Sequence, residues 1–197
     1  DITSDTTPDF TISCESSATV TLKEGLSSLG TGSCTGGTVT ITSSVLSEGN
    51  HSIKASQADT AGNVSSESST LSITIDTTLP TITSVSSDKT NGSYTTGEVI
   101  DIDVTFSETV TSTGSVTVTL ETGATDRTCT FTVTSASTGT CNYTVQAGDT
   151  TSDLEVSSIA GTIADTSGNA MTNFVPVTNL AANKAIVIDT TAPSAPS

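Results

Sequence analysis

The chain has 197 residues, a net charge of −16 at neutral pH, 32% apolar residues, 3% aromatics and no Trp. That charge repels phosphate and excludes nucleic acid as a partner. No apolar run approaches the roughly 20 residues of a membrane helix, so no helical span is expected in this segment.

Low apolar content can signal disorder, but only 13% of residues are charged. Val, Ile and Thr alternate instead, and Thr suits the polar face of a strand because its branched Cβ fits a pleated surface. Period-2 alternation predicts strands around Phe10/Ile12/Cys14, Val20/Leu22, Val39/Ile41, Ile53/Ala55 and Leu71/Ile73/Ile75. Further along, Ile82/Val85 is a weak start with broken parity. Ile100/Ile102/Val104/Phe106 follows, with Asp101 and Asp103 on the opposite face. Val116/Val118/Leu120, Phe131/Val133, Tyr143/Val145 and Ile186/Ile188 complete the set. No segment holds a 3.6-residue period over ten residues, so the chain reads as all-β.

An internal repeat sets the phasing. Asp5-Thr6-Thr7-Pro8, Asp76-Thr77-Thr78-Leu79-Pro80 and Asp189-Thr190-Thr191-Ala192-Pro193 are near copies. Asp59-Thr60-Ala61-Gly62-Asn63 lies upstream of the second copy, and Asp165-Thr166-Ser167-Gly168-Asn169 upstream of the third. Proline fixes φ and donates to no ladder, so the copies read as short, stiff joints. The reading is two tandem antiparallel β-sandwiches joined by a short Pro-containing linker. The first module spans 5–77 and the second 78–190, and 191–197 starts the next linker. Joint sequence at both ends predicts a stretch of a longer array.

Cys14 shares parity with Phe10 and Ile12, Cys129 with Phe131 and Val133, and Cys141 with Tyr143 and Val145. Pairing Cys129 with Cys141 predicts a hairpin centred on Ser135, with the sulfurs facing across adjacent strands. Cys14–Cys34 is the remaining pair. No Cys-x-x-Cys exists for a zinc site, so the cysteines predict disulfides and an oxidising compartment, secreted or at the cell surface.

The joint sequence resembles that of bacterial immunoglobulin-like repeats of large secreted or surface adhesins. So do Asn91-Gly92-Ser93-Tyr94, Gly97-Glu98-Val99-Ile100-Asp101-Ile102 and Val104-Thr105-Phe106-Ser107-Glu108. Leu120-Glu121-Thr122-Gly123-Ala124, the run Tyr143 to Asp149 and the Asp165-to-Asn169 motif fit the same pattern. The resemblance covers most of 81–193 and, in the first module, mainly 38–80. Both cysteine pairs depart from the usual repeat. What the resemblance implies is that both sandwiches are immunoglobulin-like and serve a stalk or adhesive role, with calcium near module junctions.

Calcium takes six to eight oxygen ligands. The candidates are Asp76 and Asp189 at the joints and Asp59 and Asp165 in the turns, with Glu108 and Asp103 weaker. For the joint around Asp76, Asp59, Asp101 or Asp103 would add carboxylates. The same residues form good turns without metal, because Asp bonds its own downstream backbone. His51, the only histidine, lacks a Gly-x-Ser-x-Gly context and reads as packing at a strand start. The expected role is therefore a non-catalytic, semi-rigid stalk or adhesive module pair. Its partners would be neighbouring modules of the same chain, a host or surface ligand, or copies of itself. The alternatives are a filament subunit and a carbohydrate-binding accessory module.

Overall fold

Branched side chains on alternate positions give each strand one apolar and one hydroxyl-bearing face, and two such sheets bury their apolar faces together. The computed structural model describes residues 1–196. They form two units, Asp1–Thr78 and residues 79–196.

Unit 1 contains β1 (Ile2–Thr3), β2 (Asp9–Ser13), β3 (Thr19–Glu24), β4 (Ser27–Ser33), β5 (Thr38–Thr42), β6 (Gly49–Ala58) and β7 (Leu71–Ile75). One sheet runs β1-β7-β6-β3-β4, and the other is the pair β2-β5. Phe10 and Ile41 from the pair pack with Val20, Leu22, Ile53, Ile73 and Ile75 from the larger sheet. The sandwich is thin at β4. A Cβ built on Gly30 would lie 2.7 Å from Ile41, and one on Gly32 2.7 Å from Val39.

Two features differ from the sequence reading. Unit 1 starts ahead of residue 5, because β1 pairs with β7. The first Asp-Thr-Thr-Pro copy therefore lies inside unit 1, between β1 and β2. Leu71 shares parity with Ile73 and Ile75 but is 46% exposed.

Unit 2 contains β8 (Ile82–Ser86), β9 (Gly92–Tyr94), β10 (Val99–Ser112), β11 (Val116–Glu121), β12 (Arg127–Phe131), β13 (Ala136–Thr144), β14 (Thr150–Thr151), β15 (Glu155–Ala160), β16 (Ile163–Asp165), α1 (Leu180–Asn183) and β17 (Ile186–Asp189). β10 lies beside β13, β16 and β8, while β11 lies between β12 and β15, and β17 between β14 and β9. Ile100, Ile102 and Val104 are fully buried and Phe106 nearly so, as the alternation predicts. The broken parity of Ile82/Val85 has a local cause. Val85 pairs with Val104 and Ile82 with Phe106, so Thr83 is an extra residue in the ladder. That bulge turns both apolar side chains inward, and both are fully buried.

The sandwiches are not wholly antiparallel. β1 runs parallel to β7, and β9 runs parallel to β17. In each unit a short early strand crosses to the opposite sheet and lies along the last strand.

Both disulfides close as paired, with Cα–Cα distances of 6.0 Å for Cys14–Cys34 and 5.6 Å for Cys129–Cys141. The expected hairpin around Ser135 is corrected, however. β12 hydrogen-bonds to β11 and β13 to β10, so Cys129–Cys141 ties the two sheets together across the core. Ser135, at φ 47°, turns the chain from one sheet to the other. Cys14 follows β2 and Cys34 follows β4, which belong to different sheets. Each unit thus has one sheet-to-sheet bridge.

Candidate metal-binding carboxylates and polar networks

The recurring aspartates share one local chemistry. Asp59 Oδ1 accepts the N–H groups of Ala61 and Asn63, and Oδ2 accepts Asn63 Nδ2. Asp165 Oδ1 accepts from Ser167 and Asn169, and Oδ2 from Asn169 Nδ2, each at 2.8 Å. The turns then close on matching bridges, Ala58–Val64 and Ala164–Ala170. Gly62 and Gly168 sit at φ 89° and 92°, a conformation that glycine alone adopts without strain. The bonds from Asn63 are the main cause that holds the Asp59 carboxyl below its ordinary value.

The joint aspartates do likewise. The N–H two residues on is donated to Oδ1 in all three copies: Thr7 to Asp5, Thr78 to Asp76 and Thr191 to Asp189. Thr77 adds a second anchor, donating its N–H and Oγ1 to Glu48 Oε2 at 2.8 and 2.7 Å. Those bonds, the hydroxyl's first, lower the Glu48 pKa.

Calcium fits these residues by donor type, since an accepting carboxylate oxygen keeps lone pairs. Within either unit taken by itself, however, the three-carboxylate group among the described residues is a different one: Asp88, Asp101 and Asp103. The outward parity of Asp101 and Asp103 was legible in the sequence. Asp88 was not, because only the β8–β10 register, with Ser86 opposite Asp103, brings it there. Its N–H donates to Asp101 Oδ2 at 2.6 Å, Ser87 Oγ donates to Asp101 Oδ1, and Thr140 Oγ1 donates to Asp103 Oδ1. Partial burial opposes ionisation of Asp101, but the Asp88 and Asp101 N–H groups and Ser87 outweigh it, and its pKa is lowered.

His51 is buried, with Nδ1 3.0 Å from both Glu24 oxygens and Nε2 2.9 Å from the Ser47 carbonyl. Both partners accept, so the site favours the ring with both nitrogens protonated. The Ser47 carbonyl first, and then Glu24, raise the His51 pKa. In that protonated state the ring has no lone pair with which to take a proton from a nucleophile. The residue is a structural link between β6 and β3.

Unit 2 carries a buried network that the alternation pattern did not signal. Asp149 is 1% exposed. Its Oδ1 accepts Arg127 Nε at 2.8 Å, and its Oδ2 accepts the Tyr143 hydroxyl at 2.6 Å and the Gln146 N–H at 2.9 Å. Burial alone would raise the Asp149 pKa, but these three donors lower it. Burial first, and the bond to Asp149 second, push the Tyr143 pKa far up.

Among the described residues no helix is long and apolar enough to cross a membrane. Residues 1–77 match the family model of the bacterial Ig-like domain. No curated protein matches the chain.

Proposed function

We propose that this chain, with a bacterial Ig-like domain at residues 1–77, serves as a pair of structural modules in a secreted or surface-attached repeat protein. In this reading it is a semi-rigid stalk that carries adhesive parts. The observation that carries the reading is the repeated build: each unit has its own sandwich and its own sheet-to-sheet disulfide. Load along such a chain is borne by covalent staples and β ladders, not by a catalytic cleft. The disulfides support an extracellular setting, and the acidic, hydroxyl-rich surface keeps the modules soluble.

Calcium belongs to the same proposal. Asp59, Asp76, Asp165 and Asp189 would supply carboxylate oxygens, and the cation would neutralise charge that otherwise repels across the joints. That would shift the population toward one joint arrangement. Calorimetry with calcium, and small-angle scattering before and after chelation, test it. A heat of binding with a larger maximum dimension in calcium is expected. No heat, together with an unchanged dimension, would leave these aspartates as turn formers.

Single-molecule stretching tests the stalk. Two unfolding events are expected per chain, each lengthening after reduction. A chain that extends at low force without discrete events would overturn the mechanical role.

A further inference from the structure

An exposed sheet edge offers unpaired backbone groups to another strand, and proteins blunt such edges by shortness, charge, proline, bulges or cover. Unit 2 does so at most of its edges. β14 and β9 have two and three residues, β12 carries Arg127, and β15 carries Glu155. The Asn179 side chain also caps both backbone groups of Val156 on β15. β8 follows Pro80 and is bulged at Thr83. β13 is the exception, with nine residues, no charge and no proline.

The register identifies the free backbone groups. The Val145 N–H donates to the Glu98 carbonyl, so Tyr143, Cys141 and Gly139 likewise bond toward β10. The N–H and C=O groups of Thr138, Thr140, Asn142 and Thr144 point the other way, and no strand among the described residues pairs with that edge. All four residues are exposed. The ladder to β10 is continuous from Thr138 to Thr144, and the Cys129–Cys141 bridge anchors the middle of the strand. The edge is therefore held extended in advance, and little order is lost when a strand joins it.

We propose that β13 pairs antiparallel with β13 of a second copy of this chain, continuing the β10–β13 sheet across a twofold axis at Thr140. Thr140 then faces its own equivalent, and Thr138 faces Asn142 of the second copy. Charge argues for this occupant. The chain carries −16, yet residues 128–148 hold no charged side chain. Two copies repel on most approaches, and this edge lets them meet without that cost. The nearest outward carboxylates, Asp101 and Asp103, sit one strand back on β10, opposite Asn142 and Thr140. Across the twofold, Asp103 and its equivalent are three strand spacings apart, about 14 Å, beyond the screening length of about 8 Å at physiological salt. Facing Thr hydroxyls bond either way round, so the strand suits an antiparallel copy of itself. Unit 1 has an uncharged stretch at 25–47, but there β4 closes on the end of β5, the Ser44 N–H donating to the Leu29 carbonyl. One strand pair is less than a permanent interface buries, so the association is weak and reversible. It does not depend on the stalk reading.

The test is sedimentation equilibrium of the whole chain from micromolar to millimolar concentration, with amide exchange measured at both ends of that range. A monomer–dimer equilibrium is expected, with exchange at Thr138, Thr140, Asn142 and Thr144 slowed at the higher concentration. Asn142→Pro removes an outward N–H and no bond to β10, so it should fold and weaken the dimer at least tenfold. Thr138→Lys keeps the backbone intact if the proline variant fails to fold, and it should weaken the dimer similarly. It also lowers the net negative charge, so its loss of dimer would assign association to the edge and not to reduced repulsion. A monomer at millimolar concentration, a dimer that the folded variants leave intact, or protection confined to another strand would overturn the proposal.

Discussion

His51 and Glu24 lock one end of the unit 1 core, the imidazole Nδ1 lying 3.0 Å from each carboxylate oxygen while Ser47 holds Nε2. The pair carries a signed pH dependence. His51 has a raised pKa, so its contribution is complete below its ordinary value of 6.5 and is lost as pH rises through the raised value. Glu24 has a lowered pKa, chiefly through the bond to His51, so its contribution is complete above 4.5 and is lost as pH falls through the lowered value. Unit 1 should be most stable between these limits. His51→Gln should flatten the alkaline limb of its melting temperature against pH. An unchanged alkaline limb would refute the link.

Gly139 lies under the Phe131 ring, and a Cβ there would come within 2.2 Å of it. Gly139→Ala should cost about 1–3 kcal/mol by overpacking. Combining it with Phe131→Leu should recover part of the loss in denaturant titrations. Additive losses would place the cost elsewhere.

Asp149 should be costly to remove, because Arg127, Tyr143 and Gln146 all donate to it at a buried site. Asp149→Ala should destabilise unit 2 by about 3 kcal/mol. Chemical denaturation of unit 2 measures it, and a loss under about 1 kcal/mol would show that water replaces the network.

The two Asp-x-x-Gly-Asn turns have matching bonds but different burial, Asp165 being 7% exposed and Asp59 only partly buried. Asp165→Ala should lower the melting temperature more than Asp59→Ala, because buried donors left unpaired lose more than wetted ones. Equal effects in thermal melts would count against burial as the cause.

Both disulfides close loops, with sequence separations of 20 and 12 residues. Each should contribute about 3 kcal/mol in the chain-entropy model. Reduction should also lengthen the stretched chain by about 70 Å for unit 1 and about 40 Å for unit 2, at roughly 3.5 Å per residue. Non-reducing peptide mapping should recover Cys14 with Cys34 and Cys129 with Cys141. A bridge between units would contradict the fold.

The sequence by itself determined the all-β class, most strand positions, the cysteine pairs and the turn aspartates. These follow from local rules: period-2 alternation assigns each side chain a face, and Asp or Gly at a turn acts within four residues. Alternation does not say which strand lies alongside. Cys129 and Cys141 have the parity of a hairpin, yet their strands enter opposite sheets, because covering both apolar faces outweighs pairing neighbours. Parallel β1–β7 and β9–β17 and the bulge at Thr83 were likewise decided by long-range packing. The pairs His51–Glu24 and Arg127–Asp149 join residues 27 and 22 positions apart. Only the folded sheets bring those charges within reach, and burial then makes each partner necessary to the other.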